Sequence, residues 1–152
     1  MINKELSQRL YEEVFGNGTF DVADEILSQD CISHGPGTPP VVGTEPIKRQ
    51  AKLLRTAIPD VKVTLKDQFA EGDRVVSRWT ASGTNTGQFV MPSATLPATN
   101  AAISFDEMRI DRYANGQIVE SWFIPDRFSL WQQLGLIPAF TAQSEQQKEQ
   151  KL

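Results

Sequence analysis

Residues 61–84 read "VKVTLKDQFAEGDRVVSRWTASGT". Val61, Val63, Leu65 and Phe69 alternate with Lys62, Thr64, Lys66 and Gln68. That period of two predicts a strand with one wet face. "EGD" at 71–73 supplies a turn and "RVVSRWTASGT" the returning strand, so the stretch predicts an antiparallel hairpin. Two further strands follow, "AAISFDEMRIDRY" at 101–113 and "GQIVESWFI" at 116–124, joined by the turn signal "ANG" at 114–116. In the first of these the apolar phase switches from Ile103 and Phe105 to Met108 and Ile110. A bulge near Glu107 would account for the switch and would bend the sheet. The last strand is apolar on both faces, with Ile118, Trp122 and Ile124 on one and Val119 and Phe123 on the other. It is therefore expected to lie centrally, covered on each side.

Upstream of the hairpin the periodicity is helical. Ile2, Leu6, Leu10 and Val14 recur every four residues with Tyr11 and Phe15 beside them, until "GNG" at 16–18 ends the stripe. A short second helix follows Thr19, with Val22, Ile26 and Leu27 inward. "DCISH" at 30–34 predicts a brief extended piece and "GPGTPPVVG" at 35–43 a loop. Thr44 is placed to cap a third helix bearing Ile47, Ala51, Leu54 and Ile58, which Pro59 stops. The expected fold is α+β: a cone-shaped α+β barrel with three N-terminal helices packed on a strongly curved, mainly antiparallel sheet. The inside of such a cone is a natural pocket. Residues 1–140 are expected to form this single domain, with "TAQSEQQKEQKL" at the end a polar tail over 141–152.

Bulk properties narrow the function. The 152 residues carry a formal net charge of -4, with no basic surface for phosphates, so nucleic acid is not an expected partner. No apolar run is long enough to span a bilayer, and the N-terminus is acidic where a signal peptide would be greasy, so a cytoplasmic location is expected. One His and one Cys do not make a zinc site of the usual kind, and neither a P-loop nor a G-x-S-x-G elbow is present. No metal or cofactor is therefore expected. Cys31 and His34, three apart in an extended segment, point to opposite faces, which leaves Cys31 a small buried filler.

Two residues remain as candidates for chemistry. His34 shares a strand face with Ile32 and is expected to point inward, beside a Gly-Pro loop. Asp126, in "SWFIPDRFSLWQQLG" at 121–135, has two readings. As a helix N-cap it would accept backbone N–H bonds, which lower a carboxylate's pKa. As a general base beside Trp122 it would gain from apolar burial, which raises it. Residue types alone favour the cap. Trp79, Trp122, Met108 and Phe15 are candidate pocket wall, and Phe89 and Met91 lie in a loop, "GQFVMPSATLPATN", that could close over a ligand.

"AIPDVKVTLKDQFAEGDRVVSRWTASGTNTGQF" together with "RIDRYANGQIVESWFIPDRFSLWQQLGLIP" resembles the SnoaL-like polyketide cyclase family, a branch of the nuclear-transport-factor-two-like cone fold. The resemblance spans about residues 4–138. It implies an aspartate in the last motif, here Asp126, acting as general acid/base without metal or cofactor. That residue would take a proton from an activated carbon, whose carbanion closes a ring by intramolecular aldol addition. It also implies His34 in the same cavity. Where the family often has a "TGK"-like turn, this chain has "LPATNAA" at 96–102, which points to a different pocket closure and substrate.

The resulting expectation is cofactor-independent cyclisation or isomerisation of a small hydrophobic carbonyl compound, by a homodimer. The alternatives are a non-catalytic small-ligand-binding or dimerisation module of the same fold, and an epoxide hydrolase-like enzyme. The last needs two carboxylates bridged by an arginine. Asp106, Arg109 and Asp126 are its nominees, although Asp106 and Arg109 fall on opposite strand faces without a bulge.

Overall fold

The computed structural model describes residues 2–138, so the expected polar tail over 141–152 lies outside the described residues. The 61–84 hairpin forms as β3 (Lys62–Glu71) and β4 (Arg74–Thr84), turning at Gly72 with a positive φ of 56°. The later pair forms as β7 (Ala102–Ala114) and β8 (Gln117–Pro125). Asn115 and Gly116, at φ 52° and 75°, both take the left-handed conformation that a tight two-residue hairpin turn requires. With β1 (Leu27–His34) and β2 (Val41–Val42) these make one sheet, ordered β2-β1-β8-β7-β4-β3, antiparallel except where β1 runs parallel to β8.

The helices pack on one face of this sheet, as expected, but they are not a run of three. α1 (Ile2–Arg9) continues into a π-helical turn over Leu10–Gly16, in which the Asn17 N–H donates to the Glu12 carbonyl five residues back. α2 (Val22–Ile26) is a single turn, and the full strand β1 separates it from α3 (Glu45–Ala57). A fourth helix, α4 (Arg127–Gln133), follows β8. No helix among the described residues is long and apolar enough to cross a membrane. Leu10, Val14, Ile26, Leu27, Ile47, Ala51 and Val75 fill the space between helices and sheet. Each large aliphatic side chain there contributes about 1.5–3 kcal/mol through removal from water. Thr44 precedes α3, but its hydroxyl donates to Asp24 Oδ1 at 2.7 Å instead of capping, and Lys48 joins the same carboxylate at 2.5 Å.

Two local registers depart from the simple alternation, and one expected departure does not occur. The β3–β4 pairing shifts between Leu65 and Asp67, so Gln68 turns inward to donate to Ser77 Oγ while Phe69 is 59% exposed. The bulge expected near Glu107 is absent: β7 pairs with β4 without a break from Arg112↔Arg74 to Ala102↔Thr84. The irregularity lies instead between Arg112 and Tyr113 against β8. It places Ile118 on the helix side with Phe123, and Trp122 and Ile124 on the other. In β7 the inward row is thus Ile103, Phe105, Glu107, Arg109, Asp111 and Tyr113, polar through its middle.

That middle is stabilised by pairing. Arg109 Nε and Asp111 Oδ1 lie 2.6 Å apart with both side chains 1% exposed. Ser121 Oγ donates to Asp111 Oδ1 at 2.6 Å and Ser7 Oγ to Oδ2 at 2.9 Å. Arg109 Nη2 reaches Ser121 Oγ at 3.0 Å, and its guanidinium lies over the rings of Tyr11 (5.6 Å) and Phe123 (5.9 Å). A buried ion pair survives desolvation only when its remaining hydrogen-bonding capacity is met in this way.

Candidate active site

The concave face of the sheet, the π-helical turn, α3, α4 and a small hairpin line a partly open cavity of about 410 Å³. The hairpin is β5 (Phe89–Met91) with β6 (Ala94–Leu96), which pair only with each other, in the segment expected as a loop. Asn85, fully buried, ties its base. The Asn85 amide donates to the carbonyls of Ala57 and Gly87, both at 2.9 Å, and its Oδ1 accepts from the Thr99 N–H and hydroxyl.

Phe15, Trp79, Phe89 and Met91 line the cavity, joined by Leu54, Val63, Phe105, Leu130 and Trp131. Tyr11 and Phe15 reach it together from the π-helical turn, their rings 5.4 Å apart, and Tyr11 stacks on Trp79 at 4.2 Å. π-helical turns are rare and recur at functional sites. Among the described residues the buried Trp79 indole N–H has no acceptor. Such an unmet donor costs about 1–3 kcal/mol.

Among the described residues one carboxylate stands on this wall. Glu107, opposite Trp79 on β4 and Pro125 on β8, is half-buried and lines the cavity. Burial pushes its carboxyl above the usual range, while the charge of Arg109 and the hydroxyl of Tyr11 pull the other way. Tyr11 Oη donates to Glu107 Oε1. The phenol's own pKa is raised well above normal, by burial first and by the charge of Glu107 second, so Tyr11 stays a donor. Arg127, the first residue of α4, also lines the cavity. Among the described residues no group of three or more His, Cys, Asp or Glu side chains is placed to hold a metal.

The other expected site residues lie elsewhere. Asp126 is exposed and caps α4, accepting the Ser129 N–H at 3.0 Å, while its own N–H donates to the Asp106 carbonyl at 2.8 Å. It is off the cavity wall, although Pro125 and Arg127 on either side are on it. His34 does share a face with Ile32, but it is the outer face; Cys31 and Ser33 point inward, 0% and 1% exposed. The His34 ring stacks on Trp122 at 5.3 Å and its Nε2 donates to Glu120 Oε1 at 2.9 Å, an oxygen pair flanked by Arg112 at 2.9 Å. These two partners hold the Glu120 carboxyl below its ordinary range. Trp122 is therefore outside the cavity, and so is Met108, 55% exposed. Asp126 and His34 do not converge. Sequence reasoning missed Glu107, Tyr11 and Arg127; carrying the period of two past Phe105 without a bulge would have put Glu107 inside.

The family model of SnoaL-like polyketide cyclases matches residues 5–134. The chain belongs to that family, and its architecture is the cone of nuclear-transport-factor-two-like proteins. Among solved structures, a candidate polyketide cyclase from Bacillus cereus is 26% identical, with a TM-score of 0.74 over 90% of this chain and 82% of that one. IdmH from Streptomyces antibioticus, also a candidate polyketide cyclase, is 26% identical, with a TM-score of 0.73 over 88% of this chain and 98% of that one. An epoxide hydrolase-like protein from M. tuberculosis, 14% identical with a TM-score of 0.63 over 88% of this chain and 89% of that one, shares the fold. Comparison with curated proteins finds no significant match.

Proposed function

We propose that the protein is a cofactor-independent acid/base catalyst of the polyketide cyclase type, acting on a small apolar carbonyl compound, with Glu107 as the proton-transferring group. The observation that carries this reading is a single half-buried carboxylate, its pKa raised by burial, set in the wall of an otherwise largely apolar cavity. A base of raised pKa is better matched to a carbon acid than an exposed cap carboxylate. In the forward step Glu107 takes a proton from the carbon next to a carbonyl, and the electron pair left behind forms the enolate. That carbon then attacks a second carbonyl of the same molecule. The resulting alkoxide takes the proton back from Glu107, so the carboxylate is regenerated and the substrate is isomerised to a ring. Tyr11 holds the carboxylate in place through its hydroxyl.

Glu107→Gln keeps the shape and removes the base. With a responsive β-dicarbonyl substrate it is expected to slow turnover by about 10²- to 10⁴-fold. Asp126→Asn tests the assignment that the family resemblance implies. Asn caps a helix about as well as Asp, so turnover near wild type fits a capping Asp126. A loss on the Glu107→Gln scale, with Glu107→Gln active, would transfer the role to Asp126.

A non-catalytic binder of the same ligand is the second reading. It is favoured if Glu107→Gln leaves ligand affinity intact and no wild-type turnover is found across a panel of such substrates. The epoxide hydrolase arrangement finds less support. Asp106 faces outward and bonds Thr80, while Arg109 and Asp111 lie behind the cavity wall, nearly inaccessible. We also propose pairing of two copies across the outer face, where Ile32, Met108 and Ile124 are exposed beside charges of both signs such as Arg78 and Asp106, 3.7 Å apart. Met108→Asp with Ile124→Asp should then halve the sedimenting mass, and an unchanged mass would reject the interface.

A further inference from the structure

Resting on the catalytic reading above, we infer that the ligand is an organic anion, a compact apolar skeleton whose carboxylate or ionised enol oxygen pairs with Arg127. Arg127 is the only cationic side chain on the cavity wall among the described residues. Among the described residues its guanidinium makes one hydrogen bond, from Nη1 to the Pro36 carbonyl at 3.2 Å, which holds the head against the loop that also brings Thr38 to the wall. An arginine has five N–H donors. No carboxylate of the described residues comes within ion-pair distance of this one, although the strand arginines Arg74, Arg78, Arg109 and Arg112 each have one. Its field does reach Glu107 and pulls that carboxyl downward.

The two ionised walls therefore carry opposite signs. An anionic end is attracted to Arg127 and repelled by Glu107, so the ligand enters in one orientation, with its apolar body along the aromatic wall and its C–H acid toward Glu107. Thr38 and Gln50, also on the wall, make no side-chain hydrogen bond among the described residues and are left to meet further ligand oxygens. A guanidinium facing a carboxylate forms a charge-assisted bond stronger than a neutral one.

The test uses a matched pair of equal size, 2-naphthoate and 2-acetylnaphthalene, titrated calorimetrically into the full-length protein at neutral pH. Naphthoate is expected to bind about tenfold or more tighter than the ketone. Arg127→Gln should abolish that preference while leaving the ketone within about twofold of wild type, and Arg127→Lys should retain part of it. The ketone serves as the folding control. Equal affinities for the two probes in the wild type would overturn the role of Arg127 and leave the catalytic reading standing. So would an equal loss of both in Arg127→Gln, which marks a packing role. Failure of both probes to bind even at millimolar concentration would remove the ligand cavity and both readings with it.

Discussion

The two faces of β7 invert the usual rule. Toward the helices the strand presents Glu107, Arg109 and Asp111; toward the outside it presents Met108 and Ile110 with Ile124 of β8 beside them. On the inner face the polar row is paired or lines a cavity, so its burial cost is offset by hydrogen bonds. On the outer face the apolar groups are left without cover in the single chain. Charge inside and grease outside on one strand thus fit the two tasks proposed above: proton transfer on the concave side and self-association on the convex side.

The largest expected effect comes from breaking the inner row where it is most buried. Asp111→Ala leaves Arg109 charged and unpaired and should cost about 3–5 kcal/mol of stability, read by denaturant unfolding. A comparable truncation outside, Met108→Ala, should cost under about 1 kcal/mol in the monomer. Equal costs would erase the distinction between the faces.

Titration sharpens the same contrast. Glu107 has a folded-state pKa above its unfolded value, so it stabilises the fold most below the ordinary carboxylate range and loses that contribution as pH rises through its folded pKa. Glu120 on the outer face is shifted the opposite way by His34 and Arg112, so its contribution is present above the carboxylate range and is lost on acidification. Unfolding free energies from about pH 2 to about pH 8 should therefore fall less steeply with rising pH in Glu107→Gln than in wild type. They should fall less on acidification in Glu120→Gln. Parallel curves for all three proteins would show that neither shift reaches stability. The smallest effect is at the cap: Asp126→Ala should cost about 1 kcal/mol, and Asp126→Asn a few tenths.

The sheet and its hairpins were legible because turn chemistry and alternation agree there: "EGD" and "ANG" turn where they should, and Trp79 points in with Val75. The family was legible from motifs that span the domain. The site was not, for a physical reason. An apolar-in assumption assigns Met108 and Ile110 to the core and invents a bulge at Glu107 to allow it, whereas the register is unbroken and the inner row is polar. His34 failed by the same logic, since Ser33 takes the inward position beside Cys31. Phe69 is outside because a shift after Leu65 reverses the parity of everything beyond it. The two three-residue strands β5 and β6 are too short to carry a period at all.

The way Asn85 ties off the β5–β6 hairpin has an evolutionary corollary. One fully buried amide fixes both ends of the excursion, and its strands share no ladder with the main sheet. Residues 88–97 are therefore suited to exchange as a cassette, altering which molecules the chamber accepts while the wall that carries Glu107 and the scaffold stay as they are.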